Sequence, residues 1–126
     1  MSTANPDRAQ QLISQGWALL DRVQIPAITL TSLAEQTQRL GFHSFDVISI
    51  DLEMVDFLND LPDFLQTLKP RLLCMECITD GVDLKTLFTC RETSQLALAG
   101  YEPVSLIGGN IFAVQTNTSQ HVTIFE

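Results

Sequence analysis

The sequence predicts an α/β domain, and three features of it carry that prediction. Residues 45–51 and 72–78 are two almost continuously apolar runs, as expected of strands buried on both faces of a parallel sheet. Apolar residues at helical spacing follow each run, which gives the strand, helix, strand, helix order of a right-handed parallel unit. The chain then changes character: residues 101–107 and 110–115 are extended runs joined by Gly108-Gly109, a turn that admits positive φ and makes an antiparallel hairpin.

Asn5-Pro6-Asp7 starts the first helix, because Asn caps free amides, Pro is tolerated in the first turn and Asp suits the positive end of the dipole. Ala9, Leu12, Ile13, Trp17 and Leu20 recur at helical spacing, so this amphipathic helix is expected to run to about Asp21. Residues 1–22 are therefore read as an N-terminal helix and residues 23–126 as one globular unit. Residues 23–30, interrupted by Pro26, read as extended. Ser32-Leu33-Ala34-Glu35 reads as a capping box that opens a helix of about two turns, which Gly41 ends. Val55, Leu58, Leu61, Phe64, Leu65 and Leu68 mark the next helical stretch; Pro62 divides it and Pro70 stops it. Asp80-Gly81 turns the chain into a helix over residues 82–99, with Leu84, Leu87, Phe88 and Leu98 inward and Gly100 as its stop. Residues 121–125 read as one more short strand.

A chain of 126 residues has room for one core. Its 45% apolar and 17% charged composition is that of a folded protein, and no apolar run approaches the ~18 residues of a membrane span. The start lacks a basic stretch followed by an apolar core, so the expected setting is cytoplasmic. Fifteen acidic against seven basic residues give a net charge of −8, with the basic residues scattered. Nucleic-acid binding draws on clustered Lys and Arg, so DNA and RNA are poor partners for this chain.

Cys74-Met75-Glu76-Cys77 has the C-x-x-C spacing of a redox or zinc knuckle, but residues three apart on a strand face opposite ways and cannot share a metal. Both are read as packed core thiols, and His43 and His121 as surface or rim residues. Asn117-Thr118-Ser119 fits a glycosylation sequon, which matters only in a secreted chain.

Ligands of open α/β sheets bind beyond the carboxyl ends of the strands. Asp51 and Glu53 close the first run and Glu76 comes near the end of the second, so these three are the candidate site residues. Against this stands a plainer reading, in which Asp51 caps the following helix and Glu53 and Asp56 form its solvated face. As a metal site the acidic group lacks a surrounding ligand-rich loop. No glycine-rich strand-to-helix loop is present to approach a nucleotide, and there is no G-x-S-x-G elbow and no Cys with a His partner.

The order Thr29-Leu30-Thr31-Ser32-Leu33, the strand ending Asp51-Leu52-Glu53, Lys69-Pro70-Arg71 leading to Glu76, Gly100-Tyr101 and Asn110-Ile111-Phe112 resembles the carboxyl-terminal half of FkbM-type methyltransferases. That family uses S-adenosylmethionine and mostly methylates hydroxyl oxygens. The resemblance covers about residues 23–115 and implies part of a Rossmann-like sheet. Thr31 stands where the family has Asp, Met54 where it has Gly and Asp56 where it has Glu, so Asp51 and Glu53 are what remains of the signature. The family's amino-terminal half, with its glycine-rich cofactor loop, has no counterpart in residues 1–22. The resemblance thus implies an O-methyltransferase domain that is inactive alone and that does not bind S-adenosylmethionine by itself. Asp51 would be the base or substrate orienter, with Glu53 and, more weakly, Glu76 beside it. The alternative is a non-catalytic oligomerisation or partner-binding module. Either way, the strand near Val47–Ile50 would lack a neighbour, so either the amino-terminal segment, through residues 12–20 or 23–30, folds over that side, or a second copy or a complementary chain pairs there, the latter being the expectation.

Overall fold

The computed structural model describes residue 3, residues 5–52 and residues 55–116, the side chain of Val55 excepted. In chain order these form α1 (Pro6–Ser14), α2 (Leu30–Arg39), β1 (Val47–Ile50), α3 (Leu61–Leu68), β2 (Leu72–Glu76), α4 (Arg91–Leu98), β3 (Tyr101–Ile107) and β4 (Asn110–Gln115). Short 3-10 turns lie at Val55–Asn59 and Leu87–Thr89. The strand expected at residues 121–125, His121 and the sequon lie outside the described residues, as does Glu53.

The four strands form one mixed sheet in the order β1-β2-β4-β3. β1 runs parallel to β2, and β4 is antiparallel to β2 and β3, so the hairpin's second strand is the one that joins the parallel pair. Pro103 sits in edge strand β3 beside a shift in register, where its missing N–H is tolerated. Among the described residues no helix is long and apolar enough to cross a membrane.

Strand alternation sends Ile50, Leu73, Met75, Ile111 and Ala113 to one face, where they form a single core with Ala34 of α2, Leu61, Phe64, Leu65 and Leu68 of α3 and Leu96 of α4. The alternate residues, Val47, Ser49, Leu72, Cys74, Phe112 and Val114, are exposed or half-buried. The expectation that both apolar runs would be covered on two faces is therefore corrected. Val47 keeps 57% of its surface, because α2, α3 and α4 all contribute to the same core and none of them covers the other face. The run of apolar residues records a covered face plus an apolar open one.

Helix boundaries moved for local reasons. Asn5 caps α1 as expected, accepting from the amides of Asp7 and Arg8 at 3.0 and 3.2 Å. The helix nevertheless ends at Ser14 and not near Asp21. Gly16 takes φ +91° and Trp17 N–H bonds back to the Leu12 carbonyl at 3.1 Å, a left-handed stop that only glycine adopts without strain. No residue of α1 is buried, and residues 17–29 are exposed, Leu20 to 94%. α2 starts at Leu30, capped by Thr29, whose Oγ1 accepts from Ser32 N at 3.1 Å; Ser32 itself lies inside the helix. Gly41, at φ +90°, ends it as expected.

The expected helix over residues 82–99 is present only from Arg91. Asp83 Oδ1 accepts from the amides of Lys85 and Thr86, both at 2.9 Å, which closes a local turn that competes with a helix. Cys90 is extended, at φ −75° and ψ 163°. Leu87 is buried, but Leu84, Phe88 and Leu98 are exposed, contrary to the periodicity that placed them inward.

Candidate functional site

Parallel pairing of β1 with β2 brings the candidate carboxylates to one end of the sheet. Ile50 is opposite Met75, so Asp51, one residue on, comes level with Glu76, which is opposite Asn110 of β4. Asp51 and Glu76 are both exposed. Among the described residues the Asp51 side chain makes no hydrogen bond; residues 53 and 54, whose amides a cap at Asp51 would meet, lie outside the described residues. Asp56 lies in the 3-10 turn and is exposed. Asn110, which the sequence suggested only through its motif order, stands in the same row and donates to the Gly108 carbonyl at 3.3 Å. Among the described residues β1 is an edge strand, so this row ends at a backbone that no described strand pairs with.

The Gly100-Tyr101 motif does not join this group. Tyr101 is opposite Gln115, at the other end of the sheet. Its hydroxyl donates to the Pro70 carbonyl at 2.7 Å and accepts from Gln115 Nε2 at 3.1 Å, and burial raises its pKa. A shallow hollow beside it, lined by Leu65, Gln66, Lys69, Tyr101 and Gln115, is remote from Asp51. Its tyrosine is a structural tie, engaged on both sides.

The C-x-x-C cysteines separate as strand alternation requires: Cys77 packs against the core while Cys74 lies on the open face, partly exposed. That corrects the reading of both as core thiols. Among the described residues no cluster of three or more His, Cys, Asp or Glu has the arrangement of a metal site. Burial, and then the nearby Glu92 carboxylate, push the Cys77 thiol up to about 11. At pH 8 its thiolate fraction falls about a hundredfold relative to a free thiol, and greater intrinsic nucleophilicity recovers about tenfold of this. Cys77 is therefore expected to react with iodoacetamide roughly tenfold more slowly than free cysteine. Mass-spectrometric timing of the Cys77 peptide checks this.

The group that sequence reasoning missed is Glu92. It is 0% exposed, in the first turn of α4, and its carboxylate accepts from Ile78 N, Thr79 N and Thr79 Oγ1, each at 2.8 Å. Burial opposes ionisation, yet donors from its own backbone, from Thr79 and from Cys90 hold its pKa below the ordinary glutamate value. The segment it grips follows β2 directly, on the same rim as Glu76. Only a helix start at Arg91 would have put Glu92 in a first turn, and the sequence reading had placed that start nine residues earlier.

No family model, curated protein or solved structure matches this chain. Asp51, Glu76 and Asn110 offer hydrogen-bond acceptors and one amide to a polar, hydroxyl-bearing group. They provide no backbone cradle for a phosphate and no activated nucleophile.

Proposed function

We propose that the described residues form the acceptor-side half of an FkbM-like S-adenosylmethionine-dependent O-methyltransferase fold, inactive until a further segment pairs with β1. One observation carries this reading: Asp51, exposed and without a hydrogen bond among the described residues, ends an edge strand level with Glu76 and Asn110. A carboxylate in that position can accept the proton of an acceptor hydroxyl or orient it. The parallel β1–β2 pair followed by the β3–β4 hairpin agrees with what the resemblance implies. Residues that would bind the cofactor are not assigned to any position of this chain.

Calorimetric titration of the pure chain with S-adenosylmethionine tests the reading, with no binding heat expected. A micromolar dissociation constant would overturn it, since it would mean that the chain holds the cofactor without a partner. Asp51→Asn is expected to leave stability within about 0.5 kcal/mol of the wild type, as for an exposed side chain with nothing to lose. A thermal melt checks this, and a marked drop would return Asp51 to a scaffold role.

A second reading has its own support. Among the described residues Val47, Leu72, Phe112 and Val114 give the open sheet face an apolar character next to the β1 edge, with which no described strand pairs, as suits a non-catalytic module that binds a partner or a second copy. Light scattering across a concentration series separates the two: a dimer lacking cofactor affinity in every mixture would favour the module.

A further inference from the structure

Among the described residues Glu92 is the one charged side chain that is buried, and no cation offsets it, since the ion pair in the structure joins exposed Arg71 and Asp46. Besides its own backbone amide and the Cys90 thiol, its carboxylate is met by neutral donors from one short turn: the amides of Ile78 and Thr79, the Thr79 hydroxyl and the more distant Cys77 thiol at 3.8 Å. On its other side this turn is fastened to the sheet by one backbone bond, Cys77 N–H to the Gly109 carbonyl at 2.8 Å. Beyond it, the Asp83 side chain bonds within its own turn, to Lys85 and Thr86, and the Asp83 carbonyl accepts from Leu87 N at 2.8 Å. The next buried anchor is Leu87, whose carbonyl accepts from Thr93 Oγ1 at 2.6 Å. Between Leu87 and the Glu92 grip, Asp80, Gly81 and residues 83–86 are exposed, and half-buried Val82 packs against the core between them.

From this geometry we infer that Glu92 is a conformational latch: its charged carboxylate holds the turn after β2 against the start of α4, and loss of that charge releases the turn while the sheet stays intact. The rim segment that follows Glu76 is fixed by this contact, whatever ligand the rim takes. A glutamate whose only role was to favour the helix dipole would remain in solvent, where the same end effect is available without desolvation. The titratable groups facing the carboxylate are the Cys77 thiol at the end of β2 and the Cys90 thiol at the start of α4. Arg91 reaches toward Asn59 Oδ1 at 3.4 Å.

Amide hydrogen exchange on the full chain, read residue by residue by NMR, tests the latch. In Glu92→Gln, which keeps the shape but removes the charge and one acceptor, Ile78 and Thr79 are expected to exchange at least about tenfold faster, while Leu73 and Met75 in β2 are unchanged. Unchanged exchange at Ile78 and Thr79, or equal acceleration at all four residues, would overturn the proposal. In Glu92→Ala, added formate is expected to restore protection at Ile78 and Thr79; no restoration would count against a carboxylate-specific latch. The wild type gives a check that does not depend on a variant's folding. On acidification below about pH 4.5, the ordinary glutamate value, Ile78 and Thr79 should lose protection before Leu73 and Met75, and simultaneous loss would refute the latch.

Discussion

Glu92→Leu is expected to destabilise the protein by about 3 kcal/mol or more, lowering the melting temperature by roughly 10 °C. Leucine is somewhat larger than glutamate and suits the helix, so neither a cavity nor propensity accounts for the loss. The cost comes from the Ile78 and Thr79 amides and the Thr79 hydroxyl, which are left facing an apolar group after each had a carboxylate oxygen at 2.8 Å. A fully buried donor without an acceptor costs about 1–3 kcal/mol; Ile78 is half-buried and Thr79 exposed, so water replaces part of each contact and keeps the sum near the lower bound. The pH dependence has a definite sign. Because the folded-state pKa of Glu92 is depressed, its contribution is present above the ordinary value of 4.5 and is lost as pH falls through the folded pKa. The difference in stability between wild type and Glu92→Leu should therefore be full at pH 7 and shrink on acidification below that value. Urea melts across pH check both magnitude and sign.

Leu73→Ala is expected to cost about 2–5 kcal/mol. Leu73 is 0% exposed in β2, which is paired on both sides, by β1 and by β4. A central strand held in two ladders cannot shift inward to fill the space, so most of the cavity should persist. The urea midpoint should fall with the slope unchanged, because the surface exposed on unfolding is nearly the same. Cys74→Ala, the next residue along but on the open face, should cost less than about 1 kcal/mol. Equal effects at the two positions would contradict a sheet covered on one side only.

Much of the architecture was legible from the chain. The two apolar runs became β1 and β2, the Gly108-Gly109 turn became the β3–β4 hairpin, and Pro62 fell in the first turn of α3. Helix ends were less legible, since a glycine such as Gly16 can outweigh several residues of continuing periodicity, and an aspartate such as Asp83 can draw backbone amides into a local turn. For the site, Asp51 and Glu76 could be placed at strand ends by counting, and parallel pairing then set them level. Glu92 could not be found this way: its role depends on two amides 13 and 14 residues away, and nothing local distinguishes it from a solvated helix glutamate.

The sequence by itself determined the two strands of the parallel pair and where the hairpin turns, because those follow from side-chain period and from the few residues that set backbone dihedrals; it did not determine where α1 ends or α4 begins. It also determined the acidic balance, with a net charge of −8 that sets this chain against polyanionic partners. Only the tertiary structure decided that β4 lies between β2 and β3, that α2, α3 and α4 share one face of the sheet, and that β1 is at the edge among the described residues. Sheet order and the covered face depend on contacts between segments far apart in sequence, which an apolar run reports only as burial in general. The same holds for Glu92, whose buried charge is tolerable only because the turn after β2 brings its donors to meet it.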